Sequence, residues 1–187
     1  MHSAHTCVNP AIVYFMRYAY ISDMDRTTNL LGALALAITD RIEAGMKNTF
    51  DRSGESAAAI VVLGYAPGLS VEILRQVLNR SHPGTVRLID RLEEDGFVER
   101  RQAADGRAVA LHLTRRGTKL RQRLMDQRLD LLEAGLKGLT ASERTALGDL
   151  LAKVLTNLPE TEMAKHRICR LCAVPTCSDC PIPGHAI

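Results

Sequence analysis

Between Ser81 and Leu113 the apolar residues change period within one short stretch, and few architectures accommodate that change. Ser81 is suited to cap a helix, with Pro83 in the first turn, where a missing N–H costs nothing. Val86, Ile89 and Leu92 are expected to point inward, and Asp95-Gly96 supplies a glycine stop. Two short alternating runs follow, Phe97 to Arg101 and Ala108 to Leu113, joined by Gln-Ala-Ala-Asp105-Gly106-Arg107. That pattern predicts a helix feeding directly into a two-stranded hairpin.

The flanking segments read as helices. Leu31, Leu34, Ala35, Ile38, Ile42 and Met46 recur at helical spacing between Thr28 and Lys47. A second helix runs from Glu55 to Gly64, Tyr65-Ala-Pro-Gly68 punctuates the chain, and Ser70 caps a short third helix through Leu78. Beyond the hairpin, Thr114 caps a long helix seamed by Leu120, Leu124, Leu131, Leu132 and Leu136. Thr140-Ala-Ser-Glu143 is a capping box for a last helix carrying Leu147, Leu150, Leu151, Val154, Leu155 and Leu158 up to Pro159. A chain with 4% aromatic residues, no Trp, and abundant Leu, Ala and Arg suits that helical content. The expected fold is mainly α with a small β-hairpin wing (α+β): two short helices, a tight link, a third helix and a hairpin make a winged helix-turn-helix.

The expected organisation is an N-terminal arm over 1–26, a helix over 27–50, the winged lobe over 51–114, two helices over 115–160 and a cysteine-rich tail over 161–187. Residues 1–26 show no clean period, so they read either as a loose arm or as sequence upstream of a start at Met24. The net charge of +3 is mild, but its distribution is not. From Glu99 to Arg123 there are eight Lys/Arg against two Asp/Glu, the footprint of a phosphate-contacting surface. A slim helix can enter the major groove, where base edges are distinguishable, and an arginine at a hairpin tip can enter the minor groove. Asp90 and Arg91 read instead as residues that pair with neighbours and fix the helix.

The run from Thr85 to Arg101, then Asp105-Gly-Arg107 and Leu111-His-Leu-Thr-Arg-Arg-Gly117, resembles the MarR family of bacterial transcription regulators over residues 28–158. The resemblance implies a homodimer packed through the first and last two helices, each wing reaching one half-site of a palindromic double-stranded operator. It implies that Arg107 enters the minor groove with Asp105 holding its guanidinium, and that Arg87 contacts a guanine. Ser81, His82 and Thr85 would touch bases or phosphates, with Arg101 and Arg115 beside the backbone. His82-Pro-Gly84 departs from the small hydroxyl residues common there in the family. A small phenolic or aromatic effector between the dimer helices and the DNA-binding lobe is also implied, although three Phe and four Tyr supply no lining that names it.

Four of the five cysteines fall within twelve residues, as Cys169-x2-Cys172-x4-Cys177-x2-Cys180. Each C-x2-C pair lets two thiolates face one metal, and two pairs supply four ligands for zinc or for an iron–sulfur cluster. The run from Cys172 matches plant-type ferredoxin spacing, and Cys180-Pro181 echoes bacterial ferredoxins, which places a cluster ahead of zinc and both ahead of a thiol–disulfide switch. His166 would cap or orient a ligand. Packed on the last helix, such a site would bias the spacing of the two wings.

No run approaches the roughly 18 apolar residues of a membrane span. No Lys or Arg precedes Ala11-Ile-Val-Tyr-Phe-Met16, so a secretory signal is not expected and a reducing cytoplasm is. The function expected is a sequence-specific DNA-binding repressor with a metal-sensing tail. Two alternatives stay open: a small redox or electron-transfer protein on a helical scaffold, and a regulator whose zinc tail is only structural. No nucleophile–base pair or phosphate-cradling glycine loop points to an enzyme.

Overall fold

The computed structural model describes residues 25–50, 52, 54–102, 109–173 and 180–182. In chain order these form α1 (Arg26–Thr49), α2 (Gly54–Tyr65), α3 (Val71–Leu78), α4 (His82–Glu94), β1 (Val98–Gln102), β2 (Val109–Leu113), α5 (Arg115–Leu136), α6 (Ala141–Thr156) and α7 (Glu162–Cys169). The chain divides into two compact units, 1–40 and 41–187. The described part of the first unit is the opening of α1, where Leu30, Leu31, Leu34 and Leu36 are all exposed. The expected arm over 1–26 lies almost entirely outside the described residues.

The second unit is built around α2, whose residues from Ser56 to Leu63 are buried without a break. A helix that is apolar all round belongs inside, and its small Ala57, Ala58 and Ala59 let neighbours approach on every side. Leu74 and Val77 of α3, Leu88, Ile89 and Leu92 of α4, and Leu120 and Leu124 of α5 close over it. The strands pair antiparallel with Val98 opposite Leu113 and Gln102 opposite Val109. The segment after Pro67, expected only as a break, adds a stub to this hairpin: Leu111 donates to the Leu69 carbonyl at 2.9 Å and accepts from Gly68 at 2.9 Å.

The caps hold where expected. Ser70, Ser81 and Thr114 each accept from a backbone N–H of the first turn, and Thr140 and Glu143 complete a capping box. Both helices of the helix-turn-helix end in Schellman turns. Asn79 sits at φ 54°, donating to the Gln76 carbonyl, while Arg80 donates to that of Arg75. Gly96, at φ 73°, donates to Glu93, and Phe97 to Leu92. In both, the left-handed residue turns the chain sharply, and asparagine and glycine are the residues that tolerate it.

Two findings depart from the expectations. Helix α6 has no buried residue: Leu150, Leu151 and Val154 are exposed in the single chain, as is Leu158 just beyond the helix. Helix α7 was not anticipated. Thr161 caps it, and it packs on α3, with Met163 and Leu171 against the core and Cys169 and Ile182 buried. Among the described residues, no helix is long and apolar enough to cross a membrane.

Candidate nucleic-acid interface and the cysteine tail

Helix α4 turns one stripe to the core, namely Thr85, Leu88, Ile89 and Leu92. Val86, expected inward, is only half-buried, because the helical phase is set by Thr85 rather than by its neighbour. Thr85 is fully buried, and its hydroxyl donates to the Ser81 carbonyl at 3.1 Å. This corrects the expectation that Thr85 touches bases or phosphates, since a hydroxyl committed to its own first turn has no path to a ligand. The opposite face carries Ser81, His82, Pro83, Arg87 and Arg91, all exposed. Ser81 spends its oxygen on the Gly84 N–H at 3.3 Å, and His82 Nδ1 lies 3.6 Å from Glu72. Arg87 has no ion pair among the described residues, and its guanidinium stands in solvent. Arg91 folds back so that Nε donates to the Arg87 carbonyl at 3.2 Å.

The last turn of α4 is clamped to the wing by Arg100, which sequence reasoning did not single out. Its guanidinium donates to Asp90 at 2.6 Å and pairs with Glu93, and its own backbone N–H donates to Glu93 Oε1 at 3.1 Å. Burial alone would lower the Arg100 pKa, but these two carboxylates outweigh it and raise it. The expected pairing of Asp90 therefore exists, with a partner on β1. Basic residues near the hairpin thus divide by role. Arg100 and Arg116 are structural, the latter donating to the Asp95 carbonyl at 2.9 Å with its guanidinium carbon 4.6 Å from the centre of the Phe97 ring. Arg101 is exposed but paired with Glu99, and Arg115 is exposed with no ion pair among the described residues. Asp105 and Arg107 lie outside the described residues.

A hollow of about 180 Å³ opens beside the wing, lined by Leu63, Gly64, Pro67, Arg101, His112 and Arg121 among others. Its polar lining is Arg101, Arg121, His112 and Thr118, and no Phe or Tyr contributes to it.

The tail meets the lobe at the end of α3. Arg167 Nε donates to the Gln76 carbonyl at 3.1 Å, the same oxygen that accepts from Asn79 in the α3 Schellman turn. Tyr65 stands at the end of α2. Burial pushes the Tyr65 phenol well above its usual range, Cys169 and Cys172 add to the shift, and Arg121 opposes it. The Tyr65 oxygen is buried with no hydrogen-bond partner among the described residues, and so is Nδ1 of His166. The Cys172 N–H donates to the Cys169 carbonyl at 2.8 Å, and the Ile182 N–H points to Cys180 Sγ at 3.4 Å. Cys169, Cys172 and Cys180 are thiols, and Cys177 lies outside the described residues. Among the described residues no three His, Cys, Asp or Glu side chains gather as a metal-binding group.

Residues 50–108 match the model of the MarR family. Among solved structures, the reduced form of MarR from Escherichia coli is similar at 27% identity and a TM-score of 0.56, covering 67% of this chain and 96% of that one. MepR, a transcription regulator of the Staphylococcus aureus multidrug efflux pump MepA, is similar at 20% identity and a TM-score of 0.61, covering 70% and 97%. The MarR family protein Rv2887 of Mycobacterium tuberculosis, solved with salicylic acid, is similar at 22% identity and a TM-score of 0.56, covering 71% and 98%. No curated protein matches the chain. With its buried α2, its Schellman-linked α3 and α4 and its hairpin clamped by Arg100, the winged helix-turn-helix of this chain is similar to those of the MarR family, whose model it matches over residues 50–108.

Proposed function

We propose that the protein is a homodimeric, sequence-specific DNA-binding transcription regulator acting as a repressor in the cytoplasm. The observation that carries this reading is Arg87, a guanidinium without an ion pair among the described residues, on the outer face of a helix whose other side is buried. A planar fork held there suits the O6 and N7 acceptors of guanine, each such pair being worth about 1–3 kcal/mol of discrimination. Ser81, His82, Arg101 and Arg115 are exposed and are read as further contacts to bases or phosphates, and Arg107, its guanidinium held by Asp105, as the minor-groove contact. The exposed leucines of α6 support the dimer, because a capped helix that buries nothing in its own chain needs a second copy to cover it.

The test is operator selection from a random duplex pool, followed by Arg87→Ala. The substitution is expected to weaken the selected site at least tenfold while leaving bulk duplex binding nearly unchanged. Equal loss on both would reduce Arg87 to a phosphate contact, and no loss would overturn the reading.

Two further elements belong to it. The hollow beside Arg101 and Arg121 suits a small carboxylate effector, salicylic acid being the molecule in the Rv2887 complex. The tail cysteines are read as ligands of an iron–sulfur cluster, with zinc as the alternative, whose state modulates DNA affinity.

A further inference from the structure

We propose that Arg167 is a positioning residue for DNA recognition. From α7 it holds the turn between α3 and α4, so that docking of the tail helix and binding of specific DNA favour one another within one subunit. The DNA half of this statement rests on the function proposed above, whereas the brace on the turn does not.

The turn needs support from outside. Among the described residues, Asn79 is the one residue other than glycine with a left-handed backbone, a conformation that L side chains adopt at a cost. Two backbone bonds close it, from Asn79 to the Gln76 carbonyl at 3.2 Å and from Arg80 to the Arg75 carbonyl at 3.0 Å. Carbonyls at a helix C-terminus carry partial negative charge, and a basic side chain in the last turn commonly meets them. The cation that α3 offers there is Arg75, but its guanidinium turns back to Glu72, with Nε donating at 2.8 Å. The Gln76 side chain is likewise committed to Glu72 at 2.9 Å. Arg167 supplies a cation from another helix, Nε donating to the Gln76 carbonyl at 3.1 Å. The two residues lie 91 apart in sequence, so docking of α7 is what brings them together.

Docking is a single event. Helix α7 has eight residues, and isolated helices shorter than about 12–15 residues are marginal in water. Thr161 caps it, but Met163 and Leu171 on the core and the buried Cys169 hold it in place. Helix α7 therefore forms as it docks, and only then is Arg167 aimed at the turn. Beyond Asn79, only Arg80 precedes the Ser81 cap of α4, so the turn sets the angle at which α4 presents Arg87. A docked tail that favours the DNA-binding geometry must in return be favoured by specific DNA, and by the same factor.

The experiment reads both directions on the full-length protein. Without DNA, amide exchange at Asn79 and Arg80 is followed by NMR. Arg167→Ala is expected to speed exchange at these two amides about tenfold, the factor expected of a hydrogen bond with a charged partner, and to leave α2 unchanged. Arg167→Lys keeps a cation at the helix end and should recover most of the protection. Met163→Asp, which undocks α7 with Arg167 still present, should match the loss in Arg167→Ala. With DNA, alkylation of Cys169 is followed by peptide mass mapping, since Cys169 is buried while α7 is docked. The duplex selected from the random pool should slow this alkylation about fivefold or more, the low end of allosteric coupling, and a shuffled duplex should not. Arg167→Ala should weaken the selected duplex by the same factor and leave bulk duplex binding nearly unchanged. Exchange at Asn79 and Arg80 within about twofold of wild type in Arg167→Ala, a uniform rise across the lobe, or equal protection of Cys169 by both duplexes would each overturn the proposal. If no duplex is selected, or Arg87→Ala binds it unchanged, the DNA half falls with the regulator reading, and the exchange arm still decides the brace.

Discussion

Gly117, in the first turn of α5, decides how the wing is set against the helix that follows it. A methyl group built there meets the Phe97 carbonyl oxygen far inside contact distance, with the carbonyl carbon at 3.0 Å and Leu113 Cδ2 at 3.3 Å. The obstruction is backbone, and it is pinned, since Phe97 O accepts from the Thr114 N–H at 3.1 Å while Thr114 Oγ1 donates to the Gly96 carbonyl at 2.7 Å. Alanine at an open helical site would gain about 1 kcal/mol over glycine. Overpacking against a fixed neighbour costs about 1–3 kcal/mol. Displacing the carbonyl forfeits a hydrogen bond worth about 1 kcal/mol more, with a buried acceptor left poorly satisfied. The balance for Gly117→Ala is a loss of about 1–3 kcal/mol, or a Tm lower by roughly 2–12 °C in a chain of this size. Gly135, near the other end of the same helix, has nothing within 4 Å, so Gly135→Ala should raise Tm by about 2–4 °C. Calorimetry of both variants at one protomer concentration reads the pair, because a dimer's Tm depends on concentration. Opposite signs are expected. A Gly117→Ala protein as stable as wild type would mean that α5 does not rest on the Phe97 carbonyl.

Arg100→Ala removes the clamp between α4 and β1 and leaves Asp90 and Glu93 facing each other. A loss of about 1–2 kcal/mol in urea unfolding is expected, kept modest because all three groups are partly solvated. Glu72 is held at about 2 by hydrogen bonds from Arg75 and then Gln76, well below its ordinary 4.5. A carboxyl depressed by folding stabilises above its unfolded value and loses that contribution as pH falls through the folded one, so the window is pH 4.5 to about 2. Carboxyl NMR should show Glu72 titrating near the bottom of that window, and Glu72→Gln should flatten the acid limb of the stability curve. Leu150→Asp, at a residue 59% exposed in the single chain, should leave helicity intact and shift sedimentation to the monomer. An unchanged dimer would exclude α6 from the interface.

How much was legible in advance differs between elements for physical reasons. The caps at Ser70, Ser81, Thr114 and Thr140 were readable because capping is local: one side chain meets a backbone N–H two or three residues on. The hairpin was readable because alternation and a turn tripeptide are also local, and its bounds moved by one residue. Helix α7 was missed because only eight residues with a weak apolar face form it, and packing on α3 stabilises it more than its own period does. Thr85 was misjudged because a hydroxyl near a helix N-terminus is equally compatible with reaching outward or bonding back four residues. Only the phase of the helix against the core selects between them. Arg100 looked like any arginine of a basic run. Nothing in sequence spacing says that residues ten and seven positions earlier converge on it.

The sequence by itself determined the class of the molecule. Its helical and alternating periods, its caps, its glycine stop and its clustered cysteines are short-range facts, and short-range facts specify elements, their order and the chemistry available. The tertiary structure alone decided the allocation of like residues to unlike tasks. It left Arg87 in solvent while Arg100 and Arg116 were bound into the frame. It also laid α7 against α3, with Arg167 on the turn before the recognition helix. Those outcomes depend on which surfaces close over α2, and that is a long-range balance of burial and pairing that no local pattern carries.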